Sequence, residues 1–233
     1  NKLKTDPASY RGIYLSSALA KLSEGLLLHR LTQYTEAHDT LTPNQLGTRP
    51  GRQTHDAIYS LLAILQRTWT LGDSPTYVAF LDYSTAYPSV HRCRLAVLLH
   101  QFNIAGKMWH HLCNRFQRVK LRVLHPGIAP HQTVPILRGL PEGSRLSPTL
   151  FGLFAADLVN HLKRKFPDAT ILHKGQHLWV GGFLYVDDLC LLSTSADELQ
   201  RMLHECQTWS EKARMQINAQ KSKVMVSHET PTQ

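Results

Sequence analysis

Asp187 and Asp188 are adjacent carboxylates between two apolar runs of strand length, Phe183 to Val186 and Leu189 to Leu192. The pattern reads as a β-hairpin with the acids at its tip. Two neighbouring charges beside packed apolar strands lose hydration and repel one another. Such a pair persists if one carboxyl is protonated, if a basic group pairs with it, or if a hard divalent cation binds. An acidic surface turn is the alternative. A third carboxylate, Asp82, follows the β-branched and aromatic run Thr76 to Leu81, at the C-terminal end of a strand, where loops commonly carry ligand chemistry. A turn or helix-start aspartate is the plainer reading of that residue.

The elements that must position these acids can be read in chain order. A helical pattern of Leu19, Leu22, Leu26 and Leu27 precedes Pro43, and the turn-rich basic stretch Gln45 to Arg52 follows. Thr54 is placed to cap the next helix, with Asp56 in its first turn and Ile58, Leu61, Leu62 and Leu65 on one face. Arginines beside Gly and Pro at a helix N-terminus can hold phosphates or line a solvated loop. After Asp82, Pro88 and Ser89 open a helix through Leu95, Leu98 and Leu99. Between residues 115 and 124, Arg118, Lys120 and Arg122 alternate with Val119, Leu121 and Val123, giving a strand with one basic face that suits a phosphate backbone or protects a sheet edge. Gln132 to Leu137 reads as its hairpin partner. The loop Arg138 to Pro148 holds two glycines and two prolines. It leads into a helix capped by Ser147, with Leu150, Phe154, Leu158, Leu162 and Phe166 on its buried face and Lys163, Arg164 and Lys165 at its C-terminus. Ser195 to Glu198 forms a capping box, followed by a helix with Leu199, Met202, Leu203, Cys206 and Trp209 on one face. Met215 to Asn218 and Ser222 to Ser227 supply a last strand. From the strand ending at Asp82 onward, this is an α+β plan, an elaborated βαββαβ split sheet that brings the three carboxylates together.

Composition sets the class of partner. The chain of 233 residues carries 26 Lys and Arg against 17 Asp and Glu, a formal charge of +9, so a polyanion is the expected partner. Four cysteines without C-x-x-C spacing indicate neither a zinc module nor a disulfide framework, which fits a reducing, intracellular compartment. No apolar run is long enough to span a membrane. The first residue is Asn1, which reads as a fragment of a longer protein.

These residues resemble reverse transcriptases of the non-LTR retrotransposon, LINE-like type. Phe80 to Tyr87 resembles motif A, Gly139 to Phe151 motif B, Tyr185-Val186-Asp187-Asp188 motif C, and Ile217 to Lys221 motif D. Tyr10 to Ile13 and Gln45 to Arg52 are similar to the finger elements that precede the palm. The resemblance covers residues 10 to 227 with the motifs in family order. It implies a right-hand polymerase with a mostly helical fingers subdomain at 1–75, a palm at 76–233 with a fingers insertion within 105–138, and no thumb in these residues.

The resemblance implies RNA-templated DNA synthesis by two-metal-ion nucleotidyl transfer. Asp82 and Asp187 are then ligands of two Mg²⁺ ions, or of Mn²⁺, with Asp188 adding charge. Lys221 donates a proton to pyrophosphate. Tyr87 lies under the sugar and excludes a 2′-hydroxyl. Arg49, Arg11 and Arg52 clamp the triphosphate, Glu142 and Gly143 stand at the nucleotide, and Arg118, Lys120 and Arg122 track the template and primer backbone. The implied partners are an RNA template, a DNA primer, target DNA and dNTPs, in the nucleus for a eukaryotic element. The family pattern is departed from at Glu142, where glutamine is usual, at Gly12, at Pro88 and at Val186. A carboxylate near a triphosphate needs Arg138, Arg145 or a raised pKa to neutralise it. The alternatives are an inactive nucleic-acid-binding remnant and an enzyme of the group II intron type.

Overall fold

The computed structural model describes residues 14–71, 75–117, 119–122 and 133–227. In chain order the elements are α1 (Ala18–Ala37), α2 (Thr54–Leu71), β1 (Thr76–Leu81), β2 (Tyr83–Ser84), α3 (Ala86–Ser89), α4 (Arg92–Gln101), α5 (Gly106–Gln117), β3 (Lys120–Arg122), β4 (Thr133–Pro135), α6 (Ser147–Lys165), β5 (Thr170–His173), β6 (Gln176–Trp179), β7 (Gly182–Tyr185), β8 (Asp188–Ser193), α7 (Ala196–Ala213), β9 (Gln216–Ile217) and β10 (Lys223–Ser227). The main sheet is antiparallel with order β10-β1-β8-β7. Its central β1–β8 ladder runs from Tyr77↔Ser193 to Leu81↔Leu189, one residue short of Asp82 and Asp188. The two strands therefore deliver their acids to the same end of the sheet.

Alternation along the strands divides the core. Ala79, Leu81, Leu189 and Leu191 join the large cluster built on α6 and α7, whereas Val78, Phe183, Cys190 and Leu192 pack against Ile64 and Leu65 of α2. The helix α6 is buried on nearly every turn, including Leu150, Phe154, Leu158 and Leu162, and so is the axis of the molecule. On α7, Leu199, Met202, Cys206 and Trp209 are buried as their spacing predicts.

Several local expectations are revised. Helix α6 begins at Ser147 with Leu146 as its cap residue, and the Ser147 hydroxyl donates to Pro141 O at 2.7 Å, tying the helix to the preceding loop. The helix expected from Pro88 is two: Val90 is extended and His91 caps α4 by accepting from the Arg94 N–H. On α2 the buried side is Ile64 and Leu65, while Ile58 and Leu62 are exposed. Leu19, Leu22 and Leu26 of α1 also face outward, and the residues that helix buries are Glu24, Leu31 and Thr35. Residues 115–117 end α5 and do not begin a strand. The single last strand is two: β9 pairs with β2, and β10 pairs with β1. Ser195 caps α7, but the Glu198 carboxylate accepts from the Ser193 hydroxyl (2.6 Å), so the capping box is half made. Helix α5 and the β5–β6 hairpin are additions to the expected elements, marked by the i+4 spacing of Met108, Leu112 and Phe116 and by the Lys174-Gly175 turn.

Candidate active site

Asp82 leaves the sheet with its backbone held on both sides. Its amide donates to Ser222 Oγ (3.2 Å), and its carbonyl accepts from the Asn218 N–H (2.8 Å). Ser222 Oγ donates in turn to Asn218 O at 2.8 Å. The turn before β10 is thus a clamp on Asp82. Sequence reasoning gives a role in this turn to Lys221 alone, because Asn218 and Ser222 look like ordinary turn formers until β10 lies beside β1. The Asp82 Oδ2 atom is buried without a hydrogen-bond partner, and Lys221 Nζ stands 3.7 Å away, beyond hydrogen-bonding reach.

The hairpin places the other two acids. Tyr185 pairs with Asp188, leaving Val186 and Asp187 as a two-residue turn. Such turns require a positive φ, and Val186 has φ +60°. A valine there is strained, so its tolerance cannot be argued as that of a strand residue. Loss of hydration against the sheet, then the charges of Asp187 and Asp82, push the Asp188 carboxyl above its usual range, and Lys221 opposes them. The Tyr185 hydroxyl accepts from Thr54 Oγ1 at 2.8 Å. Thr54, expected as a cap, is the first residue of α2 and links that helix to the acidic hairpin.

A second fastening comes from residues 44–47. Leu46 N–H donates to Leu184 O (2.8 Å) and Leu184 N–H to Asn44 O (2.9 Å), while Asn44 Nδ2 donates to Trp179 O and Gly182 O. A short parallel bridge therefore extends the sheet beyond β7. Asn44 has no distinctive local signal, since its three partners, Trp179, Gly182 and Leu184, all lie more than 130 residues downstream.

Tyr87 packs its ring on Phe151, with centroids 5.1 Å apart. Burial, then the nearby charges of Asp187 and Glu142, push its phenol up to about 12. Tyr87, Asp187 and the loop bearing Glu142 thus share one region. That loop is anchored at its start by Leu140 N–H to Tyr87 O (2.8 Å) and by Arg92, whose guanidinium donates to Gly139 O (2.8 Å) and Ile136 O (2.7 Å). Arg92 is another residue passed over by the sequence reading; half-buried among carbonyls, its pKa is lowered by desolvation. Among the described residues no ion pair reaches Glu142, so neither Arg138 nor Arg145 neutralises it by direct contact.

The basic candidates separate into three groups. Arg49 is bound to Glu36 through two bonds (3.0 and 2.7 Å) and donates to Thr42 O and Leu41 O, with 9% of its side chain exposed. To meet a triphosphate it would have to leave all four bonds. Arg52 is exposed just before α2. Lys120 and Arg122 are exposed on β3, flanking the half-buried Leu121. Arg11 and Arg118 lie outside the described residues. Gly143, in the loop of Glu142, is exposed with φ +92°.

The site's fit to a hard cation rests on its donors. Three carboxylates converge at one end of the sheet, one buried carboxylate oxygen has no hydrogen-bond partner, and Asp188 is raised by desolvation and by its acidic neighbours. These features suit a hard divalent cation. Among the described residues no three His, Cys, Asp or Glu side chains close on a single ion. No described helix is long and apolar enough to cross a membrane.

Known proteins similar to this chain bear on its family and its fold. The chain is 27% identical over 232 residues to a probable RNA-directed DNA polymerase from the Drosophila melanogaster transposon X-element, covering 95% of this chain and 24% of that protein. It is 28% identical over 233 residues to the RNA-directed DNA polymerase of the D. melanogaster mobile element jockey, covering 94% and 24%. The chain thus spans about a quarter of the length of these relatives. Its fold is similar to that of a telomerase from Candida tropicalis solved with a fragment of telomeric RNA, with a TM-score of 0.66 and 10% identity over 90% of this chain and 34% of the other. The family model for reverse transcriptase (RNA-dependent DNA polymerase) matches residues 2–232, and with that near-complete match the chain that carries Asp82, Asp187 and Asp188 at one end of its sheet belongs to the reverse transcriptase family.

Proposed function

We propose that this chain forms the fingers (1–75) and palm (76–233) of a retrotransposon polymerase that copies an RNA template into DNA, adding dNTPs to a primer 3′-hydroxyl. The observation that carries the reading is the delivery of Asp82 and the Asp187-Asp188 turn to the same end of adjacent strands, with a buried Asp82 carboxylate oxygen that makes no hydrogen bond. The order β10-β1-β8-β7, with helices between β1 and β7 and between β8 and β10, supports the split βαββαβ palm. The Drosophila relatives favour a mobile element over an intron host, and primed synthesis at chromosomal DNA would place the protein in the nucleus.

Asp82 and Asp187 would hold two Mg²⁺ ions, which when bound supply activation of the primer hydroxyl and stabilisation of the leaving pyrophosphate. Asp188 adds negative charge beside them. Lys221, 69% exposed and close to Asp82, is free to move toward pyrophosphate and donate a proton. Arg52, with Arg11, takes the phosphate-clamping role from the fingers, and Arg49 supports it by holding the 41–49 loop to α1. Lys120 and Arg122, with Arg118, contact the nucleic-acid backbone without reading sequence.

Tyr87, held by Phe151, forms the floor under the sugar. Tyr87→Val opens that floor, and the ratio of ribonucleotide to deoxyribonucleotide incorporation should rise about 10- to 100-fold, the range for relieving a steric exclusion of a few heavy atoms. An unchanged ratio in single-nucleotide insertion assays would remove Tyr87 from this role.

Primer extension on an RNA template with dNTPs and Mg²⁺ tests the reading, using the protein with its natural flanking sequence. Extension by the parent supports it. Glu142→Gln removes a carboxylate near the triphosphate and should lower the dNTP KM about 3- to 10-fold, as expected for one partly screened charge. Extension by Glu142→Gln alone would identify position 142 as the lesion of an inactive copy. Failure of both would favour a nucleic-acid-binding remnant.

A further inference from the structure

Glu24 is an unusual residue for α1 to bury. The helix turns Leu19, Leu22 and Leu26 toward solvent and keeps a glutamate that is 3% exposed. A buried carboxylate survives only when its oxygens are paired. Glu24 Oε1 accepts from Arg115 Nη2 of α5 at 2.6 Å, and Oε2 accepts from the backbone N–H of Arg145 at 2.9 Å. The second bond holds main chain, three residues beyond Glu142.

We infer that Glu24 is a positioning residue for the 139–147 loop, setting where Glu142 and Gly143 stand relative to Tyr87. This rests on the polymerase reading above and deepens it. The loop's start is tied to Tyr87 O through Leu140 N–H, and its far end to Glu24 through Arg145 N–H. Residues between these ties turn at Gly143, where φ is +92° and an added Cβ would come 2.8 Å from Tyr14 O. A cleft of about 310 Å³ lies beside them, lined by Tyr14, Glu24, Arg115, Lys120, Gly143 and Ser144. On the cleft side the packing is incomplete, and the bond to Glu24 adds to the close approach at Tyr14. Arg115 fixes the Glu24 carboxylate in turn, reaching Ala20 O at 3.4 Å with the same nitrogen. The fingers helix, α5 and the loop therefore meet at one carboxylate.

Glu24→Gln keeps the size but offers one acceptor oxygen to two donors. In the protein with its natural flanks, hydrogen exchange at the Arg145 amide and its loop neighbours should accelerate about 10- to 100-fold, the range for one lost hydrogen bond to a charged group. The KM for dNTPs should rise by a similar factor while kcat stays within about 3-fold, since the catalytic carboxylates are untouched. Asp157→Asn is the control. Asp157 accepts from Arg94 (2.7 Å) and Trp209 (2.8 Å), joins three helices, and has no bond to the loop. It should lower Tm and leave loop exchange and KM unchanged. Glu24→Asp, which retains charge but is too short to hold both partners, should show the same exchange and KM changes and serves if the Gln variant does not fold. Unchanged exchange and KM in a folded Glu24 variant, or equal changes in Asp157→Asn, would overturn the inference. If neither the parent nor Glu142→Gln extends a primer, the polymerase reading fails, and the exchange at Arg145 then judges Glu24 by itself.

Discussion

Asp187→Asn should abolish primer extension, lowering the rate at least about 10³-fold, while the fold and Tm remain close to the parent. The substitution preserves shape at the tip of the β7–β8 hairpin and removes only the negative charge and its basic oxygen. A ligand that both holds a cation and shapes its field contributes several kcal/mol to the transition state, and each 1.36 kcal/mol is tenfold in rate. Stability should not suffer, because Asp187 and Asp82 both press on Asp188, and relieving one charge eases that repulsion. Asp82→Asn should match the loss in rate. Its effect on stability should also be small, since Asp82 Oδ2 makes no hydrogen bond that would be lost. The measurement is single-turnover extension beside a thermal melt. Activity within tenfold of the parent would remove Asp187 from the proposed metal site.

The acids and their strands were legible because their chemistry is local. Thr76 to Leu81 is a strand by residue type, and the Asp187-Asp188 pair interrupts two apolar runs that can only return on one another. The face of α6 followed from i+4 spacing. What escaped local reading were side chains whose partners are distant in sequence. Arg49 between Thr48 and Pro50 looks like a free phosphate ligand until α1 brings Glu36 to it. Of the α1 leucines expected to face the core, Leu27 packs against it, but Leu19, Leu22 and Leu26 are exposed, and the buried side also carries Glu24, paired with Arg115 and the loop amide. Val186 read as a strand residue because its β-branched side chain favours strands. The two-residue turn overrules that preference with a positive φ.

Gly47→Ala tests how far the site depends on the segment that buttresses it, and it should impair both stability and activity. Gly47 follows the bridge between Gln45 and Leu184, where the chain passes directly over the hairpin turn. A Cβ built there falls on the Val186 amide nitrogen, 2.9 Å from Val186 Cγ2 and 3.0 Å from the Tyr185 carbonyl carbon. The obstruction is mostly backbone, so no rotamer change relieves it. One strand or the other must move. Moving residues 44–47 breaks the bonds joining Leu46, Leu184 and Asn44; moving the turn displaces Val186, already strained at φ +60°, together with Asp187. Overpacking against rigid neighbours costs about 3 kcal/mol. A shift of the order of 1 Å in a catalytic group lowers the rate about 10²-fold. Gly175→Ala separates the two effects. Gly175 sits in the β5–β6 turn at φ +80° with nothing within 4 Å of its Cβ position, so alanine there incurs about 1 kcal/mol of backbone strain and leaves the acids in place. Equilibrium unfolding and primer extension on both variants should show Gly175→Ala losing a little stability with full activity and Gly47→Ala losing both. If Gly47→Ala extended primers at the parental rate, the hairpin would be held independently of the 44–47 segment, and that segment would not be required to set the position of Asp187.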